Sequence, residues 1–189
     1  MNPKQGVILY GPPTSGKDTV TSALTEMNPR YAQFARLKVG TGKVAGYRMG
    51  TAEQLHELEA AGDVVYANAR YGNMYVIDRP GVDAAFASGV PVVHLGQIDG
   101  IHALADDYPA DWSVVLLWCP REVTGQRSAG RSDSDTAARL AAWDATRDDL
   151  DAHPGTTWDL TVDTTEASPQ DAARLIDQLL TQRAGAATA

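Results

Sequence analysis

Apolar positions along the chain fall into two kinds of block. Nearly unbroken apolar runs stand at residues 7–10 (Val-Ile-Leu-Tyr), 92–95 (Val-Val-His-Leu) and 113–118 (Ser-Val-Val-Leu-Leu-Trp). Runs without polar alternation predict strands buried on both faces, and 113–118 is the strongest of them. Elsewhere the apolar residues keep helical spacing: Val20, Leu24 and Met27; Leu55 and Leu58; Leu140 and Trp143; and Leu175, Ile176, Leu179 and Leu180. Local signals bound these helices. Asn28-Pro29 stops the first, Thr51 with Gln54 three residues on spells a capping box, Gly62 and Gly89 end two others, and Ser168-Pro169 opens the last. Shorter strands are predicted at 31–35, 63–69, 74–77 and 159–162, with a turn at Arg70-Tyr71-Gly72-Asn73. Strand–helix alternation predicts a three-layer α/β/α domain with a parallel core sheet. The expected core is 1–30 and 78–183. A small β-rich insertion, 31–77, interrupts it.

The first strand runs into Gly11-Pro12-Pro13-Thr14-Ser15-Gly16-Lys17-Asp18-Thr19, and a helix follows. A strand, a G-x-x-x-x-G-K loop and a helix make the context of a phosphate-binding P-loop. Gly11 and Gly16 permit a tight turn whose N–H groups converge on phosphate oxygens, and the helix points its positive end at the same place. Lys17 adds a full charge for the β- and γ-phosphates of ATP. Thr14, Ser15 and Thr19 complete the expected nucleotide cradle. Asp18 stands where Ser or Thr usually holds Mg²⁺; a carboxylate can take that place, or it can simply favour the helix dipole.

Two further regions carry candidate chemistry. Residues 36–48 hold Arg36, Lys38, Lys43 and Arg48, four of the chain's 16 basic residues, with three glycines, and read as a mobile basic substrate loop. Arg127, Arg131, Arg139 and Arg147 form a second basic series, and a lid is expected at about 125–136. Arginine clamps phosphate oxygens with its fork and keeps its charge. Gln97 and Asp99 follow the strand at 92–95, at the end of an α/β sheet where ligands collect.

Composition narrows the function. The 189 residues suffice for one α/β domain, and the net charge of −8 with pI near 4.8 argues against binding a nucleic-acid polymer. Local arginines suit a small phosphorylated acceptor instead. A single cysteine, Cys119, excludes an internal disulfide and a multi-Cys zinc site. No run approaches a membrane span, and Met-Asn-Pro-Lys is not a signal peptide. A cytoplasmic protein, monomeric or homodimeric, is expected.

Taken in order, Gly46-Tyr47, residues 53–62, Tyr71-Gly72, Gly130-Arg131-Ser132-Asp133-Ser134 and Arg139-Leu140 resemble the acceptor domain and lid of guanylate-kinase-fold nucleoside monophosphate kinases. The Gly16-Lys17-Asp18-Thr19 spelling resembles the P-loop of ribose 1,5-bisphosphate phosphokinases. The resemblance implies a P-loop kinase using ATP and Mg²⁺. In it Lys17, Arg131 and Arg139 act on the transferring phosphoryl group, Arg127 helps hold the nucleotide, and Tyr47 touches the acceptor phosphate. Arg36, Lys38 and Arg48 stand in for the family's paired acceptor arginines, and Arg147, Tyr71 and Gly72 complete the acceptor side. Gln97 and Asp99 occupy an acid-rich segment, with Asp99 a second candidate for Mg²⁺. Where the family reads guanine with a glutamate, this chain has Tyr66 and, beyond it, Asn68. Neither supplies a carboxylate, so the implied acceptor is a nucleoside monophosphate other than GMP. The alternatives are a sugar-phosphate kinase and a non-catalytic module that binds phosphorylated ligands.

Overall fold

The computed structural model describes residues 4–70, 72–130 and 136–186. Five parallel strands form the core sheet: β1 (Gln5–Tyr10), β2 (Tyr31–Gln33), β7 (Val90–Leu95), β8 (Asp111–Trp118) and β9 (Leu160–Asp163), in the order β2-β7-β1-β8-β9. β1 lies at the centre, with Val7 opposite Val92 on one side and Ser113 on the other.

Alternation along these strands builds two cores. Val7, Leu9, Val92, Val115, Leu117 and Val162 face α1 (Lys17–Met27) and α7 (Pro169–Ala186). Ile8, Tyr10, Val93, Leu95, Val114 and Leu116 face the other way, toward α3 (Arg79–Ser88) and α4 (Ile98–Asp107). Both faces are covered, which is why β1 reads as an unbroken apolar run.

A second sheet is built from β3 (Arg36–Val39), β4 (Tyr47–Gly50), β5 (Val64–Arg70) and β6 (Asn73–Asp78), in the order β4-β3-β6-β5. α2 (Ala52–Ala61) leaves β4 with the expected Thr51–Gln54 capping box and ends at Gly62. Val65 and Ile77 carry this sheet onto the second core. Two sequence expectations change here. The strand at 31 pairs with β7 and belongs to the core sheet, so the inserted sheet starts at Arg36 rather than at residue 31. Residues 36–48 are not one loop: β3 and β4 pair in parallel at its two ends, and 40–46 connect them.

α5 (Arg121–Gly130) takes up residues 125–130 of the region expected as a lid, and α6 (Thr136–Ala152) begins at its end; 131–135 lie outside the described residues. Arg127 therefore stands on a helix. Arg131 lies outside the described residues, as does Tyr71. No helix among the described residues is long and apolar enough to cross a membrane.

Candidate active site

The P-loop leaves β1 at the C-terminal edge of the core sheet. Gly11 must be glycine for two reasons: its φ is +154°, and a Cβ there would lie 2.1 Å from the Leu117 carbonyl oxygen. Thr14 adopts φ 59° and Gly16, the residue before α1, φ 96°, so the loop turns through left-handed conformations, and the Ser15 amide donates to the Pro12 carbonyl at 3.3 Å. No side chain caps α1, and its first-turn amides stay open for an anion. A left-handed threonine stores strain, of the kind that collects at functional sites.

Lys17 turns back over this loop. Its ammonium donates to the carbonyls of Gly11 at 2.7 Å and Pro12 at 2.9 Å, with Ser15 Oγ 3.4 Å away. Burial lowers its pKa to about 8, against a smaller opposing pull from Asp18.

α5 grips the loop from behind. Thr124 Oγ1 donates to the Pro13 carbonyl at 3.2 Å. Arg127 donates from Nη1 to Thr14 O and to Thr164 Oγ1, both at 3.0 Å, and from Nη2 to Thr164 O at 2.6 Å. The arginine expected to bind nucleotide thus ties the P-loop to the segment after β9. Beside it lies a cleft of about 220 Å³ lined by Thr14, Ser15, Gly16, Thr19, Thr164, Pro169 and the aliphatic stem of Val20, with Arg127 on its wall. Thr14 Oγ1 is buried without a hydrogen-bond partner next to this cleft. Open amides, an orphaned hydroxyl and an arginine fit a nucleoside triphosphate.

On the other side of Asp18 is a second cleft, of about 340 Å³, lined by Asp18, Gln33, Phe34, Arg36, Lys43, Ala45, Gly46, Tyr47 and His94. Arg36 lies over the Tyr75 ring at 5.3 Å, and its Nη1 is 3.5 Å from Asn68 Oδ1. No carboxylate pairs with Arg36 or Lys43 among the described residues. Burial lowers the Arg36 pKa, offset mainly by Tyr47. The guanidinium keeps its charge, and its positive field faces the cleft.

His94 sits at the end of β7. Its Nε2 is 2.8 Å from Thr21 Oγ1 and its Nδ1 3.4 Å from Asp18 Oδ1. Burial lowers the His94 pKa, so the ring is neutral at pH 7, and its contact with Asp18 holds that carboxyl below its ordinary range. The Asp18 side chain is 84% exposed.

Several expected site residues are committed elsewhere. Lys38 is 2% exposed and donates to the carbonyls of Thr41 and Lys43, at 2.6 and 2.8 Å, between the rings of Tyr47 and Tyr75. It braces the β3–β4 connection. Arg48 pairs with buried Asp78 and donates to Ala35 O at 2.9 Å, locking β4 to the start of α3. Arg147 pairs with Asp151 one turn along α6, at 3.2 Å. Asp99 approaches His153 at 3.5 Å on the α4–α6 side, and is no part of either cleft's lining. Tyr66 donates to Gln97 Oε1 at 2.7 Å, so these two acceptor candidates engage each other. Arg139 stands near the start of α6 and lines neither cleft; Gly72 is an exposed turn glycine. Thr124, Thr164, Gln33, Phe34 and His94 join the site without having been singled out, and Lys43 was named only as part of the basic segment. Gln33, Phe34, His94 and Thr164 had position at strand ends as their only signal, and Thr124, on α5, had none.

A P-loop at the switch of a parallel five-stranded sheet, with a second cleft under a small inserted sheet, defines a P-loop phosphotransferase. The chloramphenicol phosphotransferase-like protein family matches residues 5–181, and the chain belongs to that family. No curated protein matches the chain by sequence. Among solved structures, guanylate kinase from Anaplasma phagocytophilum superposes with a TM-score of 0.65 at 15% identity, over 97% of this chain and 87% of that one. A gluconokinase from Sinorhizobium meliloti 1021 gives 0.57 at 16%, over 100% and 98%. Shikimate kinase from Acinetobacter baumannii in complex with shikimate gives 0.52 at 17%, over 94% and 93%. At these identities the likeness is one of fold.

Proposed function

We propose that the chain transfers the γ-phosphoryl group of ATP to a phosphate monoester held in the second cleft. The observation that carries this reading is Arg36: a guanidinium without a carboxylate partner among the described residues, facing a cleft that also holds Lys43 and Tyr47. A cation in that state is stabilised by an anionic ligand. The acceptors that fit this charge include nucleoside monophosphates and sugar phosphates; GMP is disfavoured because Tyr66 and Asn68 offer guanine no carboxylate.

The chemistry follows from the charge. A phosphate monoester has its second pKa near ~6, so its oxygen is already a nucleophile at neutral pH. That oxygen attacks the γ-phosphorus, the bond from phosphorus to the β–γ bridging oxygen breaks, and ADP leaves with the electron pair. No proton moves and no base is required. Positioning and neutralisation of charge remain, and Lys17 and the open amides of α1 supply them. Asp18, an exposed carboxylate immediately after Lys17, fits a hard cation by its chemistry; Asp99 is as exposed but lines neither cleft. When bound, Mg²⁺ shields charge on the terminal phosphates.

A second reading follows from the family's description and takes the hydroxyl of a compound such as chloramphenicol as acceptor. It requires a base, and Asp18 beside His94 is the carboxylate in the cleft lining. Arg36 and Lys43 in the same lining suit an acceptor that already carries negative charge, which favours the first reading. The test is ADP release with nucleoside monophosphates, sugar phosphates and chloramphenicol. A phosphate monoester should be consumed, and Arg36→Ala should raise its KM tenfold or more while the KM for ATP stays within about twofold. Turnover of chloramphenicol alone would overturn the proposal.

A further inference from the structure

We infer that Lys38 is a positioning residue for the acceptor. From beneath the β3–β4 connection it fixes residues 40–46 so that Lys43 is held at the wall of the second cleft. Lys43 meets the acceptor phosphate, and Lys38 sets where Lys43 stands. The inference rests on the phosphate-monoester reading above.

The connection has no apolar hold of its own. Residues 40–46 are all exposed, and Val44, its large apolar side chain, is 59% exposed. Gly40, Gly42 and Gly46 all have positive φ. Such a segment has no buried surface to select its shape, and its glycines enlarge the set of shapes it can take. Yet Lys43, Ala45 and Gly46 line the cleft. Hydrogen bonds must therefore choose the conformation.

Those bonds come from two buried side chains. Lys38 Nζ donates to Thr41 O at 2.6 Å and to Lys43 O at 2.8 Å. Asn73, at the start of β6, accepts from the Thr41 amide at 2.7 Å. Gly40, at φ +142°, passes so near that a Cβ there would lie 1.9 Å from Asn73 Oδ1. Thr41 is thus tied through both its N–H and its carbonyl. Lys43 is tied through its carbonyl, and the Tyr47 amide closes the return by donating to Val44 O at 3.1 Å.

The choice of lysine points to a task beyond stability. Residues two apart on a strand share a face, so Arg36 and Lys38 stand side by side on β3. The Tyr75 ring lies 5.3 Å from the Arg36 guanidinium and 5.8 Å from Lys38 Nζ, and the Tyr47 ring is 5.5 Å from Lys38 Nζ. Arg36 lines the cleft, whereas Lys38 is 2% exposed. Burying an ammonium is costly, and an apolar side chain of similar volume often serves stability as well. A lysine offers three donors on one flexible stem, so a single side chain can hold two carbonyls of the same loop. What it adds is a fixed geometry for a segment that carries a second cation to the cleft. Fixed placement of a binding charge strengthens binding because less ordering remains to be done when the ligand arrives.

The experiment uses the purified full chain with saturating ATP and three acceptors: ribose 5-phosphate, CMP and dTMP. ADP release gives kcat and KM, and the acceptor with the highest kcat/KM is carried forward. Lys38→Met should raise its KM tenfold or more, with kcat within threefold and the KM for ATP within twofold. Lys43→Ala should raise the same KM tenfold or more. Adding Lys38→Met to Lys43→Ala should then raise it less than threefold further, because there is no longer a lysine to position. A second readout is independent of turnover: trypsin should cut after Lys43 at least five times faster in Lys38→Met than in the natural protein. An unchanged acceptor KM in folded Lys38→Met, or two effects that simply multiply in the double variant, overturns the inference and leaves the phosphate-monoester reading standing. So does an unchanged cleavage rate. If Lys38→Met does not fold, Asn73→Ala, which cuts the tie to Thr41, decides: an acceptor KM raised threefold or more supports the inference, and one within twofold overturns it. Consumption of none of the three acceptors overturns the phosphate-monoester reading, and this inference with it.

Discussion

Arg127→Ala tests how the fold holds its phosphate loop. The change removes three hydrogen bonds from one guanidinium, to Thr14 O, Thr164 Oγ1 and Thr164 O, and leaves the Thr124 contact to Pro13 intact. Charge-assisted bonds are worth roughly 1.5–3 kcal/mol each, but these are partly exposed and water can replace the donor, so about 2–3 kcal/mol in total is expected. For a domain of this size that is a fall in Tm of about 4–12 °C. The second effect is on nucleotide binding. Thr14 is held at φ 59°, a conformation that costs of order 1–3 kcal/mol and persists only while its surroundings enforce it. If release of the Thr14 carbonyl lets about 1–2 kcal/mol of that strain relax, the binding-competent loop becomes about 5–30 times rarer, and Kd for ATP rises by the same factor. Differential scanning calorimetry reads the first quantity and titration calorimetry with ATP the second. A variant whose Tm stays within about 1 °C and whose Kd stays within about twofold would refute the clamp.

Two further outcomes follow from Lys17. Lys17→Ala should lower kcat at least about a hundredfold with the fold retained by circular dichroism, because on the proposed mechanism it deletes the charge that neutralises the transferring phosphoryl group; near-natural turnover would remove the loop from the mechanism. In the ligand-free protein the Lys17 pKa is lowered to about 8, so the ammonium is mostly charged at pH 7 and loses its proton as pH rises through 8. ATP favours the charged form, and its affinity should therefore fall by up to about tenfold per pH unit above pH 8; a flat profile between pH 7 and 9.5 would contradict the assignment.

The sequence by itself determined the elements that depend on near neighbours. The P-loop was legible because its strand, glycines, lysine and helix are contiguous, and the core strands because two covered faces demand unbroken apolar runs. The capping box at Thr51 and the stop at Gly62 are equally local. Arg36 and Tyr47, expected from the sequence on the acceptor side, both line the second cleft. Only the tertiary structure decided which cations remain available for a ligand. Lys38, Arg48 and Arg147 carry the same charge as Arg36, yet one is spent on its own loop, one on buried Asp78 and one on Asp151. It also brought His94 beside Asp18, paired Tyr66 with Gln97 and turned Arg127 onto Thr164. The physical reason is range. Backbone propensity and burial patterns act over a few residues, whereas an ion pair or hydrogen bond exists only within about 4 Å and can join positions far apart in the chain. Which partner a polar side chain meets is therefore written in the packing of strands and helices, and only that packing leaves Arg36 facing the second cleft while Lys38, Arg48 and Arg147 are spent elsewhere.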